Sequence, residues 1–181
     1  MSGIVERPTF SYNNDNTKPI RAGGVILYKR TNNNNIEILL IKKIIGNISR
    51  YEDIGGKTDS LDTNILDTIS RETEEETNKV INKTIIKNQL INTNLIYSYK
   101  SKYIVAFAKA NKYERKLNSD MFGTEEIHDK IIRTIHWVNI NDILDNKISL
   151  HPRLRMMIKE LKDELNSLKI SNVLVQNNKS K

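Results

Sequence analysis

The feature that most constrains this chain is an acidic cluster that follows a pair of glycines. Gly55 and Gly56 are adjacent, and RETEEE at residues 71–76 places four carboxylates within five positions. Like charges this close repel one another, although the whole chain carries a formal net charge of +7. Basic partners, bound protons or a bound cation are the ways to relieve that repulsion. We therefore expect the acidic side chains of this segment to be paired with basic groups, protons or a cation.

A helix is predicted over residues 65 to about 79, which contain the acidic cluster. Asp62, Thr63 and Asn64 precede it, and each of them is a good N-cap residue. A stripe on this helix can pack against a sheet because its members recur at helical spacing. The stripe consists of Ile65, Leu66, Ile69 and Val80.

Three of the glutamates share one face of the predicted helix. Glu72, Glu75 and Glu76 have i, i+3, i+4 spacing. Asp67 and Glu75 each lie four residues from Arg71, so this arginine is expected to bridge and orient the acidic face. Ligands that offer only oxygen suit hard ions such as Mg²⁺ or Mn²⁺. A solvated, charged helix face is the plainer alternative.

Composition excludes several classes of protein. The chain has 181 residues, of which 38% are hydrophobic and none is cysteine. Disulfides, thiolate nucleophiles and cysteine zinc sites are therefore excluded. No stretch approaches the roughly 18 to 20 apolar residues of a membrane span, and residues 1–19 contain no apolar signal-peptide core. A cytoplasmic protein without membrane contact is expected.

The positive charge is weak evidence about partners. Lysines are dispersed along the chain, and Asn, Ile and Lys are abundant throughout, as in the asparagine run at residues 32–35. These residues have AT-rich codons, so a biased genome explains them without a selected basic surface. Net charge still favours polyanionic partners through long-range attraction.

One domain of the α+β or mixed α/β class is expected, because antiparallel strands are combined with two main helices. Residues 1–19 are expected to be flexible, 20–150 to form the domain, 151–169 to form an amphipathic helix packed on it, and 170–181 to be a polar tail. The predicted strands are 22–29, 36–42, 95–99, 103–108 and 134–138, the first four as two antiparallel pairs, with loops at 46–57 and 111–129 and a short helix at 141–146.

The acidic segment resembles the Nudix box, G-x5-E-x7-R-E-U-x-E-E-x-G-U, in which U is a bulky aliphatic residue. RETEEE at 71–76 matches the R-E-U-x-E-E portion, and GGK at 55–57 resembles the glycines and basic residue that open the box. AGGVILYKR at 22–30 resembles the first core strand of the family, and HWV at 136–138 with NDIL at 141–144 resembles its closing strand and short helix. The resemblance covers roughly residues 20–150 and implies a Nudix-type α/β/α sandwich, in which a mixed sheet is flanked by helices.

The segment departs from the family pattern in four ways. Asp62 stands at the first acidic position, and eight residues rather than seven separate it from Arg71. Thr73 replaces a larger aliphatic residue, and Ile54 stands where proline is common. Asn78 replaces the closing glycine, and asparagine tolerates the left-handed conformation better than most residues. Because no central carboxylate is lost, a competent site with a reshaped loop is expected.

The resemblance implies Mg²⁺- or Mn²⁺-dependent attack of water on a diphosphate linkage in a nucleoside diphosphate joined to another group. The implied metal ligands are Glu72, Glu75, Glu76 and the backbone carbonyl of Gly55, and the implied catalytic residues are Arg71, Glu75, Glu76 and, on a later loop, Glu126. Which glutamate acts as general base stays open. Glu125 and His128 lie in the same loop, where solubility is the alternative explanation.

Substrate contacts are expected from Lys57 and from the rings of Tyr51 and Phe122, which can stack on a base or can simply pack. Trp137 is expected in the core. A small anionic nucleotide derivative is the favoured substrate, with mRNA decapping, and so capped RNA, or hydrolysis of a diphosphoinositol polyphosphate as alternatives. A Nudix-like module that binds nucleotide or protein without turnover is the alternative of another class. A monomer and a homodimer are both open.

Overall fold

The computed structural model describes residues 7–126 and 132–177, apart from the side chains of residues 45 and 171–177. Within these ranges the strands are β1 Phe10–Tyr12, β2 Asp15–Ile20, β3 Ala22–Arg30, β4 Ile36–Ile45, β5 Ile48–Glu52, β6 Ile54–Lys57, β7 Leu95–Ser98, β8 Tyr103–Lys109 and β9 Arg133–Asn139. The α-helices are α1 Ile65–Glu76, α2 Lys83–Leu90, α3 Ile140–Leu144, α4 Pro152–Arg155 and α5 Ile158–Asn177.

The main sheet has strand order β5-β4-β3-β8-β7, and β6 and β9 add to it by pairing with β3 and β4. β3 runs parallel to β8, while the other pairs in this sheet are antiparallel. This confirms the mixed sheet and both predicted antiparallel pairs. The first half of β3 pairs with β6 and its last three residues pair with β4, so one long strand joins the glycine segment to the centre of the sheet.

Helices cover both faces of this sheet because its strands alternate their apolar side chains. Val25 and Leu27 belong to one core cluster, and Ile26 belongs to the other. On the first face the core receives Ile69 of α1 together with Ile86 and Leu90 of α2, and on the second face it receives Ile143 of α3, Leu154 of α4, and Leu161 and Leu165 of α5. The layered helix–sheet–helix arrangement that was predicted is therefore confirmed.

The expectation of a flexible N-terminal segment is wrong for its described part. Phe10–Tyr12 and Asp15–Ile20 form an antiparallel hairpin. Asn13 and Asn14 turn the chain with positive φ angles of 51° and 60°, which asparagine tolerates. The hairpin is held because the Tyr12 ring stacks on Tyr97 at 5.1 Å between centroids.

Other elements differ from the sequence prediction at their boundaries. Residues 46–57, expected to be mostly loop, form β5 and β6, and residues 111–129 contain two 3₁₀ helices, Glu114–Lys116 and Ser119–Phe122. α2 was not predicted, because within it only Ile86 and Leu90 are buried.

α1 ends at Glu76 because Asn78 and Lys79 adopt left-handed φ angles of 53° and 65°. The C-terminal helix is divided into α4 and α5, and α5 continues to Asn177.

In the described part of the chain, no helix combines the length and the apolar character that crossing a membrane requires.

Replacing Leu161 with alanine tests whether α5 belongs to the folded unit. Leu161 is fully buried in the second core cluster, so the substitution leaves a cavity and is expected to lower the free energy of unfolding by about 2–5 kcal/mol. The exposed Asn166 on the same helix provides the control, Asn166→Ala. Urea unfolding measures both variants, and equal stabilities would mean that α5 does not pack on the domain.

Candidate active site

The paired glycines bring β6 close to two other elements. Gly55 lies opposite Gly24 of β3, and a methyl group on Gly55 would overlap the backbone of Gly23 and Gly24. A methyl group on Gly56 would overlap the carboxylate of Glu72. Gly55 therefore allows the two strands to approach, and Gly56 leaves the space that the Glu72 carboxylate fills.

Asn64 starts α1 and so sets which helix face meets β6. Its side-chain Oδ1 accepts hydrogen bonds from the backbone N–H groups of Leu66 and Asp67 at 2.9 and 3.1 Å. The N-cap is thus one of the three predicted candidates. Because the helix starts there, Ile69 packs into the first core cluster and the Glu72 carboxylate faces Gly56 of β6.

Arg71 joins the loop before α1 to the acidic face. Its Nε and Nη2 donate to the two carboxylate oxygens of Asp62, both at 3.1 Å. Its Nη1 donates to Glu72 Oε1 and to Glu75 Oε2, both at 2.9 Å. Its Nη2 also donates to the carbonyl of Lys57 at 2.8 Å. The predicted bridge to Glu75 is confirmed, and one planar guanidinium orients three carboxylates.

The predicted bridge from Arg71 to Asp67 is wrong. Asp67 instead forms an ion pair with Lys87 of α2 and accepts from Thr63 Oγ1 at 2.5 Å. The side chain of Asp67 is drawn to the second helix because α1 and α2 pack side by side, which helical spacing alone does not reveal.

Asp62 serves as the fixed counter-ion of Arg71. Its Oδ2 also accepts from the backbone N–H of Asp59 at 2.7 Å and from Thr68 Oγ1 at 2.8 Å. Burial favours the neutral acid, but the hydrogen bonds from Arg71, Asp59 and Thr68 outweigh it and lower the pKa of Asp62. Asp62 therefore attaches the loop before α1 to the helix, through its hydrogen bonds with Thr68 and Arg71.

Two glutamates of the cluster have raised pKa values. Burial raises the pKa of Glu72, and the charges of Glu75 and Glu126 add to this against the opposing effect of Arg71. Burial raises the pKa of Glu76 to about 7, with the charges of Glu126 and Glu52 adding to the effect. Burial is thus the main cause of both shifts, and the neighbouring carboxylates add to it.

Glu76 is the most enclosed of the cluster, at 8% exposure. Its Oε1 lies 3.9 Å from Lys43 Nζ and its Oε2 lies 3.6 Å from Arg133 Nε. Oε2 is buried without a hydrogen-bond partner among the described residues. Arg133 is also buried and donates through Nη2 to the backbone carbonyl of Glu76. Glu126, 6% exposed, comes close enough to influence both raised carboxyls.

This donor set fits a hard divalent cation by its chemistry. All of its charged donors are carboxylates, two of them carry raised pKa values, and one buried oxygen lacks a hydrogen bond. In the described residues, however, no three acidic or histidine side chains converge into a ready-made metal cage. Arg71 Nη1 lies between Glu72 and Glu75 and contacts both.

The structure places the predicted substrate-contact residues in different environments. Phe122 is 1% exposed within the first core cluster, so its predicted role in stacking on a base is wrong. Tyr51 is half-buried, with Lys42 Nζ 5.8 Å from its ring centroid, and the Lys57 side chain is exposed. Trp137 packs against the first core cluster, as predicted. His128 lies outside the described residues.

Sequence reasoning missed a second charged network that supports β6. Asp53 is fully buried and accepts from Tyr103 Oη at 2.7 Å and from Arg153 Nε at 2.8 Å. Glu52 binds Lys43 Nζ at 2.6 Å and lies 3.5 Å from Arg153 Nη2. Asp53 directly precedes β6, and its partners come from distant parts of the chain. In the sequence, the only sign of this network is the pair of acidic residues, Glu52 and Asp53, that precedes the glycines.

No protein-family model matches the chain, and no curated protein matches it. Among solved structures, it is similar to the C. elegans Ap4A hydrolase in a binary complex, with 18% identity and a TM-score of 0.49 over 82% of this chain and 98% of that chain. It is similar to the Nudix hydrolase RenU from M. smegmatis, with 13% identity and a TM-score of 0.47 over 88% and 95% of the two chains.

A third similar structure is Shewanella oneidensis NrtR complexed with a 27mer DNA, with 13% identity and a TM-score of 0.47 over 81% of this chain and 62% of that chain. With identities and superposition scores this low, the three likenesses carry no argument about activity. The argument about function therefore rests on the residues of this chain.

Replacing Arg71 with lysine tests whether the guanidinium holds the site together. A lysine ammonium cannot reach both oxygens of Asp62, the Lys57 carbonyl and the two glutamates, so we expect a loss of about 1–3 kcal/mol in the free energy of unfolding. Arg155→Lys, at an exposed position, is the matched control in chemical denaturation. Adding Asp62→Asn to the Arg71→Lys variant should cost little more, because the partners act as a unit. Fully additive losses would contradict the proposed pairing.

Proposed function

We propose that this chain is a Nudix hydrolase that uses Mg²⁺ or Mn²⁺ to cleave a phosphoanhydride bond in a nucleoside diphosphate linked to another group. The observation that carries the proposal is the joint placement of the box residues. Arg71 orients Glu72 and Glu75, and Gly56 leaves room for the Glu72 carboxylate. The arginine, two of the glutamates and the glycine of the motif are therefore in contact with one another. A carboxylate site requires such contacts, whereas a solvated helix face does not.

Glu72, Glu75, Glu76 and the backbone carbonyl of Gly55 are the groups we assign to metal binding. When bound, a divalent metal lowers the pKa of its water ligand and screens the charge of the phosphate oxygens. Without a metal, the clustered carboxylates of Glu72, Glu75 and Glu76 would repel the phosphates of a substrate. Arg71 is the positioning residue, because it contacts carboxylates and the loop carbonyl of Lys57.

Glu126 is the carboxylate we assign to accepting a proton from the attacking water. It is buried and close enough to raise the pKa of Glu72 and Glu76, yet it stands on a different segment from the carboxylates that Arg71 holds. Lys43, whose Nζ lies 3.9 Å from Glu76, is a further group that we assign to contact with the diphosphate, together with the exposed Lys57. The ring of Tyr51 is the remaining candidate for contact with a base.

Metal binding is tested by thermal unfolding with and without Mg²⁺ or Mn²⁺. A metal bound only by the folded protein stabilises it by about 2.7 kcal/mol at a free concentration 100 times its dissociation constant. Glu75→Gln is expected to abolish this stabilisation. Glu74→Gln is the matched control, because Glu74 accepts from the backbone N–H of Lys83 at 3.0 Å and lies off the site. An unshifted wild type, with either metal, would refute the carboxylate site.

Hydrolysis is tested with a substrate panel read by mass spectrometry in the presence of Mg²⁺. The panel contains nucleoside triphosphates, ADP-ribose, nucleotide sugars, a dinucleoside polyphosphate, a diphosphoinositol polyphosphate and capped RNA. We expect cleavage of a small nucleotide derivative by wild type and Glu74→Gln, and none by Glu75→Gln/Glu76→Gln. Glu126→Gln is expected to lower kcat by about 10²- to 10⁴-fold while retaining the metal-induced shift in Tm.

The outcomes of the panel separate the proposal from its alternatives. Cleavage of capped RNA or of the diphosphoinositol polyphosphate alone would replace the small-nucleotide assignment. Metal binding without any cleavage would indicate a binding module. A Glu126→Gln variant with full kcat would remove that residue from the chemistry while leaving the hydrolase assignment intact.

A further inference from the structure

A second charged cavity lies at the opposite end of β3 from the glutamates. Gly23 and Gly24 of β3 pair with β6 beside the acidic site. Arg30 ends the same strand, about 23 Å further along at roughly 3.3 Å per residue. The cavity there has a volume of about 430 Å³, within the range of small-molecule sites. It is therefore separate from the site described above.

Four basic side chains line this cavity: Lys29, Arg30, Lys109 and Arg115. They come together because β3 and β8 run in parallel, with Tyr28 opposite Lys109, and the chain then turns from β8 towards the 3₁₀ helix Glu114–Lys116. Lys29 has one acidic neighbour, Glu37, at 3.4 Å. Within residues 7–126 and 132–170, the other three have no carboxylate within ion-pair distance. Their mutual repulsion favours a bound anion.

Lys29 is held in position before any ligand arrives. Its Nζ donates to the backbone carbonyl of Arg115 at 3.3 Å and lies 4.2 Å from the ring centroid of Trp137. Together with Glu37, these contacts fix the ammonium group at the cavity wall. A cation fixed in this way loses little conformational entropy on binding a ligand.

The rest of the wall supplies apolar surface and leads to a second cavity. Tyr28, Ile36 and Leu168 complete the lining of the basic cavity. Tyr28, Lys109 and Leu168 also line a neighbouring cavity of about 440 Å³. That neighbour is lined by hydrogen-bonding groups, namely Gln89, Asn92, Thr93, Asn94 and Glu164.

The two cavities thus differ in charge on either side of Tyr28. Cations line one side, where a phosphate is favoured. Amides, hydroxyls and the carboxylate of Glu164 line most of the other, with Lys109 of the shared wall as its one basic lining residue, so amino and hydroxyl groups would be hydrogen-bonded there. A phenol ring on the shared wall provides a stacking surface for a planar base.

We propose that these two cavities form a second, non-catalytic binding site for a nucleotide, with its phosphate among Lys29, Arg30, Lys109 and Arg115 and its base and sugar against Tyr28 and the amides. The nucleotide is either free or one unit of a single strand, since both present the same phosphate and base. No divalent metal is required, because the cavity already carries the opposite charge.

Trp137 provides the readout for this site. It is the single tryptophan of the chain and contacts Lys29, so a ligand that engages Lys29 should change its fluorescence. The full-length protein is titrated in EDTA with 5′-AMP, with inorganic phosphate, and with a single-stranded oligoadenylate that lacks a 5′-phosphate, and calorimetry repeats each titration. EDTA keeps metal-dependent binding at the glutamates out of the measurement.

The test variant is R30E/K109E, which reverses two exposed cations of the cavity. The control is K100E/K159E, which changes the net charge equally at exposed positions outside the lining of either cavity. We expect R30E/K109E to raise the dissociation constant of the bound nucleotide at least about tenfold, or 1.4 kcal/mol, and K100E/K159E to leave it within about twofold. Arg30→Gln and Lys109→Gln replace the double variant if it does not fold.

Each outcome decides the proposal. Binding of AMP that is lost only in R30E/K109E supports a site for free nucleotide, and the same pattern with oligoadenylate alone supports a site for a strand. Inorganic phosphate binding as tightly as AMP would overturn the role of the base. Equal losses in both double variants, or no fluorescence change and no heat with any ligand, would overturn the site.

Discussion

The rest of the candidate site depends on the hydrogen bonds of one guanidinium. Arg71 binds both oxygens of Asp62, the carbonyl of Lys57, and one oxygen each of Glu72 and Glu75. Without it, the loop before α1 would still contact the helix through Thr68 and Asp67, but Glu72 and Glu75 would lose their common partner. Its planar, always charged group suits this task, since five donors in a fixed fork hold several acceptors at once. Arg71 thus relieves part of the repulsion within the acidic cluster, because it forms ion pairs with Glu72 and Glu75.

Local sequence signals predicted the parts of the fold that local interactions decide. The cap at Asn64, the burial of Ile69 and the left-handed Asn78 all follow from side-chain chemistry within a few residues. The hairpin at residues 10–20 and α2 were missed, because each is stabilised by contacts distant in sequence, such as Tyr12 on Tyr97. Asp67 was assigned to the wrong partner for the same reason. Contacts between residues distant in sequence determine these features, and hydrophobic periodicity does not reveal which distant residues meet.

The candidate site shows the same division between local and distant information. Helical spacing brought Glu72, Glu75 and Glu76 to one face, but it did not reveal how far burial and the more distant Glu126 and Glu52 raise the pKa of Glu76. Phe122 was misread because an aromatic residue in a polar loop looks the same in sequence whether it is exposed or buried. In the structure it fills the core, while its carbonyl accepts from the amide of Asn78 at 2.8 Å.

The sheet itself explains how one strand can serve two regions of opposite charge. At its start β3 pairs with β6, which is held from behind by the buried Asp53 and its partners Tyr103 and Arg153. Because Arg153 belongs to α4, the C-terminal helices help to fix the segment that faces the glutamates. At its end β3 presents Lys29 and Arg30 to the basic cavity. The apolar middle of β3 separates the two regions by about 23 Å, so the charges of one region act only weakly on the groups of the other.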